Sequence, residues 1–313
     1  MSFFNIFTTT FPLFVSMLVG IVASKMGFFT RATVKDLSGF VTKVLFPLFL
    51  FKAAITNVTD EYLFSAPIYA LLHIVVILTA LVISKWVVNA ANISPERSPI
   101  LRFCSVVGNT GFFGVIFAET FFGKDGIAGA ILYDFGGSLV LFFVLIPFLL
   151  NRQNIRSPKS MLKQPTIIAV LLGAILGMLG FSIPKVILPA YETITGVTLP
   201  LALIVCGAQL GRIQFHREKK FWQVVYVFLM KMIMMPILLY GLIFFIPMTL
   251  EMKRFFMLEA TMPCGISMVN FAEAYNQDSD FAAFSTFVTT TIAIVWIPLV
   301  LTLTTILPMG TLI

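Results

Sequence analysis

What most constrains this chain is that it states one pattern twice. Gly20, Gly27 and Phe28 recur 153 residues on as Gly173, Gly180 and Phe181, inside apolar runs of similar make-up. Phe46-Pro47 recurs at the same offset as Leu199-Pro200. Phe117-Ala118-Glu119 recurs as Phe271-Ala272-Glu273, one residue out of step. Each copy is then one structural unit that completes its core against the other. In membrane folds built this way, ligand sites lie where the halves meet.

The 313 residues are 59% hydrophobic and only 11% charged, with a mean hydropathy of +1.00. A soluble domain lacks the polar surface to cover so much apolar area. A bilayer removes that need, and each crossing takes roughly 20 mostly apolar residues. Ten such spans are legible, at 4–24, 37–56, 65–90, 98–119, 126–150, 165–182, 192–211, 221–247, 253–274 and 281–308. The count falls to eight if the fourth and ninth are re-entrant. Five spans per repeat is an odd number, so the second half (151–313) enters from the face opposite to the first (1–150). The expected fold is all-α, with ten helices in two inverted repeats.

The net charge of +7 does not point to nucleic acid, because the basic residues fall in alternate connections. One side receives Lys25, Arg31, Lys35, Arg97, Arg102, Arg152, Arg156, Lys159, Lys163, Arg212, Arg217, Lys219 and Lys220. The other holds Lys124, Lys185, Lys253 and Arg254 among Asp60, Glu61, Asp125 and Glu251. The positive-inside rule makes the first side cytoplasmic and leaves both termini extracytoplasmic, in a multi-pass protein of the cell (inner or plasma) membrane. The acidic last connection, with Glu273, Asp278 and Asp280, dissents. Cys104, Cys206 and Cys264 sit in apolar spans and imply no disulfide framework. The first span is long enough to cross and reads as a helix of the fold, not a removable leader.

Two stretches cannot be ordinary helices. In Val107–Gly114, three glycines weaken the helix while Asn109 and Thr110 compete for backbone hydrogen bonds. In Thr261–Gly265, Pro263 removes an amide donor and Gly265 loosens the next turn. They lie at matching places in the two repeats. Unwound backbone is tolerated at membrane depth only against protein or a water-filled cavity, so paired breaks point to a binding site. Half-helix N-termini there favour an anion such as a carboxylate. The candidate contacts are Asn109, Thr110 and Gly111 from one half and Met262, Pro263, Cys264 and Gly265 from the other. The alternative is that Gly and Pro merely allow kinks and close packing.

Ionisable groups inside spans cost at least ~2.5 kcal/mol and need partners or water. Asp134, with Ser138 one turn on, Lys231, Glu259 and His73 are the deep ones. Asp134 is a candidate proton-linked or orienting group; a hydrogen-bonded packing role is the other possibility. Lys231 either pairs with Glu259 or reaches a cavity. His73 reads as a satisfied polar residue. Lys43, Lys52 and Lys85 lie nearer span ends and are expected to snorkel. Thr289 and Thr290, with Thr291, either line a site or bond backbone carbonyls. No nucleotide, hydrolase or metal-ligand motif is present, so no catalytic residues, cofactor or metal are expected.

Asn109-Thr-Gly-Phe-Phe-Gly114, Tyr133-Asp-Phe-Gly136, Thr261-Met-Pro263 and Val288-Thr-Thr-Thr291 followed by Pro298 resemble the auxin efflux carrier family, which includes bacterial malate and malonate permeases. The resemblance spans the whole chain. It implies a fold similar to that of the bile acid:sodium symporters, with broken helices 4 and 9 crossing. It also implies a dimerising scaffold of helices 1, 2, 6 and 7, a transport domain of helices 3–5 and 8–10, and elevator-like movement of small organic carboxylates. The first expectation is a malate- or malonate-type dicarboxylate. An auxin-like monocarboxylate, and a sodium-coupled organic anion with oxygen ligands from Glu259 and Thr289, are alternatives, as is a sensor that binds an acid without moving it. The chain departs from plant members in its short basic stretch near 151–164, in Met262 before Pro263, and in a first break without proline.

Overall fold

The computed structural model describes residues 2–57, 60–150, 163–212 and 221–309. Arg152, Arg156, Lys159, Arg217, Lys219 and Lys220, six of the cations that set the expected orientation, lie outside those residues. Among the described residues all regular structure is helical, apart from one isolated antiparallel bridge between Gly108 and Cys264.

The helices are α1 (Phe3–Lys25), α2 (Arg31–Phe40), α3 (Phe46–Asn57), α4 (Asp60–Ala90), α5 (Ser98–Val106), α6 (Val115–Val140) and α7 (Pro165–Met178). They continue with α8 (Leu188–Gly196), α9 (Thr198–Gly211), α10 (Phe221–Phe228), α11 (Met235–Phe244), α12 (Leu250–Ala260), α13 (Ser267–Ala274) and α14 (Ser279–Ile306). π-Helical stretches at Val41–Leu45, Thr110–Gly114, Leu141–Leu150 and Leu229–Met234 join or flank them.

Seven stretches of the described chain are long and apolar enough to cross a membrane: Phe3–Lys25, Arg31–Thr56, Pro67–Ala90, Thr110–Pro147, Leu188–Gly211, Phe221–Phe244 and Ser279–Ile306. α7 is a shorter apolar helix. Thr110–Pro147, at 38 residues, is nearly twice what one crossing needs, and it is not straight. Gly123 has φ +61° and ψ −142°, and a β-carbon on Gly126 would run into the Ala118 carbonyl. A continuous helix would hold those two residues about 12 Å apart. The chain therefore folds back at Gly123, between the spans expected at 98–119 and 126–150.

The second span begins earlier than its apolar pattern indicates. Thr30 caps α2, its Oγ1 accepting from Thr33 N at 3.1 Å, so the polar residues from Arg31 onward are drawn into the helix. Lys43 then lies twelve residues from the helix start, about 18 Å along the axis. It is mid-span, not near an end as its sequence position suggested.

The 153-residue repeat is visible in three dimensions. α1 packs along α9 and α7 along α3, the two most extensive helix pairings among the described residues, and the offset exchanges one pair for the other. A β-carbon on Gly20 would strike the Ile204 carbonyl, and one on Gly173 would strike that of Phe51; Ile204 and Phe51 are themselves 153 apart. The turns after α1 and α7 close alike. Met26 N bonds Val22 O at 2.8 Å and Leu179 N bonds Ile175 O at 3.1 Å. Phe28 N reaches Ala23 O at 3.0 Å and Phe181 N reaches Leu176 O at 2.9 Å. Gly27 (φ +84°) and Gly180 (φ +76°) supply the left-handed residue such a terminus needs. Exposure repeats too, with Leu18 at 54% and Leu171 at 50%, and Val22 at 46% and Ile175 at 49%. Such apolar stripes are at home against lipid.

Candidate functional site

The two breaks meet. α5 ends at Val106, and Val107 turns extended (φ −88°, ψ 116°). α12 ends at Ala260. The unwound segments pair as a short antiparallel ribbon, with Asn109 N donating to Pro263 O at 2.8 Å and Gly265 N to Val107 O at 3.1 Å. Each half thus satisfies backbone groups that unwinding stranded in the other. The Cys264 amide is taken as well, donating to Thr289 Oγ1 at 3.2 Å. The Cys264 thiol, like that of Cys104 on α5, is free and buried.

The three glycines of the first break each leave room for an ionisable side chain. A β-carbon on Gly108 would sit 2.8 Å from Lys231 Cε. One on Gly111 would sit 2.9 Å from Asp134 Oδ2, and one on Gly114 would collide with Glu259 Oε2. The spacing of three residues presents the notches along one side of the break, so the Gly-x-x-Gly-x-x-Gly pattern gathers Lys231, Asp134 and Glu259 around a single segment. Sequence reasoning read these glycines as helix weakeners and missed the seats they form. The spacing was the available signal.

The three charged groups differ in their partners. Asp134 Oδ1 accepts from Thr110 Oγ1 at 2.6 Å. Lys231, buried in the π-helical stretch Leu229–Met234, donates to Ala260 O at 3.0 Å at the end of α12, not to Glu259. Glu259 is fully buried, and neither of its carboxyl oxygens has a hydrogen-bond partner among the described residues.

A cavity of about 550 Å³ opens beside the first break, within the range of small-molecule sites. Asn109, Thr110 and Gly111 line it, as do Asp134 and Ser138 from α6. Gln164 and Thr166 at the start of α7, Ser267 at the start of α13, and Thr42 and Lys43 add polar groups. Phe46, Phe112, Phe135, Phe142 and Phe271 make much of the remaining wall aromatic. Met262, Pro263, Cys264 and Gly265 do not line it; they are buried on the ribbon's far side from the cavity-lining strand. Lys231, Glu259, Thr289 and Thr290 do not line it either.

His73 does reach the cavity wall. It stacks on Tyr133 with ring centroids 3.9 Å apart, and its Nδ1 lies 2.7 Å from the Tyr133 carbonyl. Gly137 leaves space for the imidazole. Thr289 donates to Ser285 O at 2.8 Å and Thr291 to Phe287 O at 2.9 Å, so both bond backbone carbonyls. Thr290 is buried, with no partner for its hydroxyl among the described residues. No cluster of three or more His, Cys, Asp or Glu side chains suited to a metal occurs among the described residues.

A family model described as membrane transport protein matches residues 5–154 and, a second time, residues 151–301. The chain is similar to the uncharacterized transporter MJ1031 of Methanocaldococcus jannaschii, at 27% identity over 294 residues, covering 90% of this chain and 94% of that one.

Proposed function

This chain belongs to the membrane transport protein family of the auxin efflux carriers and is a membrane transporter, and from that premise we propose that it carries small organic carboxylates by alternating access. In this reading ten crossings form two inverted five-helix repeats, like the bile acid:sodium symporters. Helices of the first, second, sixth and seventh spans form a dimerising scaffold, and the rest form a transport domain that moves as an elevator. The protein sits in the cell membrane with both termini extracytoplasmic.

One observation carries the proposal. The cavity lies on the boundary that this division draws. Lys43, Phe46, Leu50 and Gln164–Ile167 belong to the scaffold side, while His73, Val107–Phe112, Asp134 and Ser138 belong to the moving side. A solute there touches both bodies, as alternating access requires. Asn109, Thr110 and Gly111 contact the carboxylate. Met262, Pro263, Cys264 and Gly265 brace that segment from the other half through the ribbon. Asp134 orients Thr110, and Ser138 adds a hydroxyl one turn along.

The cavity's size and aromatic lining favour a monocarboxylate with an apolar body as the second reading, beside the malate- or malonate-type dicarboxylate. Glu259, with two bare oxygens next to the first break, favours coupling to a cation, whether a proton or sodium. Lys231, Thr289 and Thr290 support that region. Coupling matters because one charge crossing is worth ~2.3 kcal/mol per 100 mV, which drives an uncompensated anion outward.

Flux of labelled malate, malonate and phenylacetate into proteoliposomes tests the proposal, with sodium replaced by choline in a parallel arm. Uptake that collapses in Asn109→Ala and Pro263→Ala is expected. Absence of flux for all three acids, with the protein folded, would overturn it. Flux indifferent to choline replacement removes sodium coupling.

A further inference from the structure

Lys43 is the one charged side chain of the cavity that the function above leaves unused. It sits at the middle of the 26-residue apolar stretch Arg31–Thr56, where a cation is costly unless it faces water, a partner or a ligand. It is exposed and lines the cavity. It makes no hydrogen bond or ion pair with any described residue. Its helix is locally widened, since Lys43 lies within the π-helical stretch Val41–Leu45. Single-turn widenings of this kind concentrate at functional sites because they re-aim side chains.

The other lysine held in a π-helical stretch, Lys231, is buried and bonded to Ala260 O. Lys43 differs on both counts. The remaining charged group of the cavity wall, Asp134, is bonded to Thr110. Among the described residues, then, the cavity offers a cation that no carboxylate pairs with directly. The polar edge of the first break forms another part of the same cavity wall.

We propose that the Lys43 ammonium is the counter-charge for the transported carboxylate, holding it from the scaffold side while Asn109, Thr110 and Gly111 hold it from the moving side. The inference rests on the carboxylate-carrier reading. Arginine at this place keeps the charge and methionine removes it at similar length, so the pair separates charge from packing.

The test measures binding and liposome flux of labelled malate and labelled phenylacetate by the wild type, Lys43→Met and Lys43→Arg. Lys43→Met is expected to weaken binding of the transported probe at least tenfold, as loss of a charge-assisted bond does, and Lys43→Arg is expected to retain most of it. Lys43→Cys should react with a water-soluble cationic thiol reagent, and the bound probe should slow that reaction; the three native cysteines are buried. Lys43→Met that matches the wild type within twofold, with unprotected Lys43→Cys, overturns the inference and leaves the carrier reading intact. A folded wild type that neither binds nor moves either probe overturns the carrier reading, and the inference with it.

Discussion

The two breaks occupy matching places in the repeat, yet they do different work. The first is rich in glycine and partly open, with Val107, Gly108, Gly111 and Phe112 only half-buried and facing the cavity. The second, Thr261–Gly265, is buried throughout, and the amides of Cys264 and Gly265 are already bonded. Only the first has glycines that admit charged side chains. In the second, the nearest atoms to a β-carbon on Gly265 would be Gly108 O at 3.2 Å and Met268 Cε at 3.3 Å. Repeat symmetry thus fixes where the chain unwinds, and local sequence decides which unwound segment faces the cavity and which one is buried.

That contrast is most easily broken at Gly114. Gly114→Ala drives a β-carbon into the fully buried Glu259 carboxyl, which must then shift within a packed interior. Overpacking of this sort costs about 1–3 kcal/mol or more. A large drop in melting temperature is expected, with partial recovery in the Gly114→Ala, Glu259→Ala double variant. Additive losses in that cycle would show that the two residues do not share space. Gly265→Ala should lower the melting temperature much less.

Thr289→Val comes next. It strips the acceptor from the buried Cys264 amide and leaves it unsatisfied, at about 1–3 kcal/mol. The expected result is lower thermal stability with substrate affinity retained. Arg31→Ala should do least. Its ion pair with Glu273, at 2.7 Å, joins side chains that are 78% and 46% exposed, and pairs like this are worth below about 1 kcal/mol. Flux within twofold of wild type is expected at ordinary salt concentrations.

Much of this architecture is legible in the amino-acid sequence. Pro263 and the glycines of Val107–Gly114 mark both breaks because their effect is local: a missing donor and a weakened helix. The repeat survives as glycines at helix contacts, where only a hydrogen fits, and at turns, where φ is positive. Lys43 is misjudged from sequence because the cap at Thr30 extends its helix through a polar segment, which a hydropathy pattern assigns to a loop. The seating of Lys231, Asp134 and Glu259 is hidden for a different reason. Those side chains lie 123, 23 and 145 residues from the glycines that admit them, and such pairings are set by tertiary packing. The expected pairing of Lys231 with Glu259 was one of two readings left open, and the lysine instead bonds the last carbonyl of α12. The spending of the second break's amides within the protein is equally invisible in the sequence, since it depends on Thr289 and on the partner ribbon.

The division of labour between the breaks is tested most directly by the KM of carboxylate flux in Thr110→Val, measured beside Thr289→Val with the acid that the wild type moves fastest. Thr110 sits in the cavity wall and bonds Asp134, so its variant should raise KM about tenfold or more, while Thr289→Val leaves KM near the wild-type value. The reverse pattern, an unchanged KM in Thr110→Val and a raised one in Thr289→Val, would contradict the account.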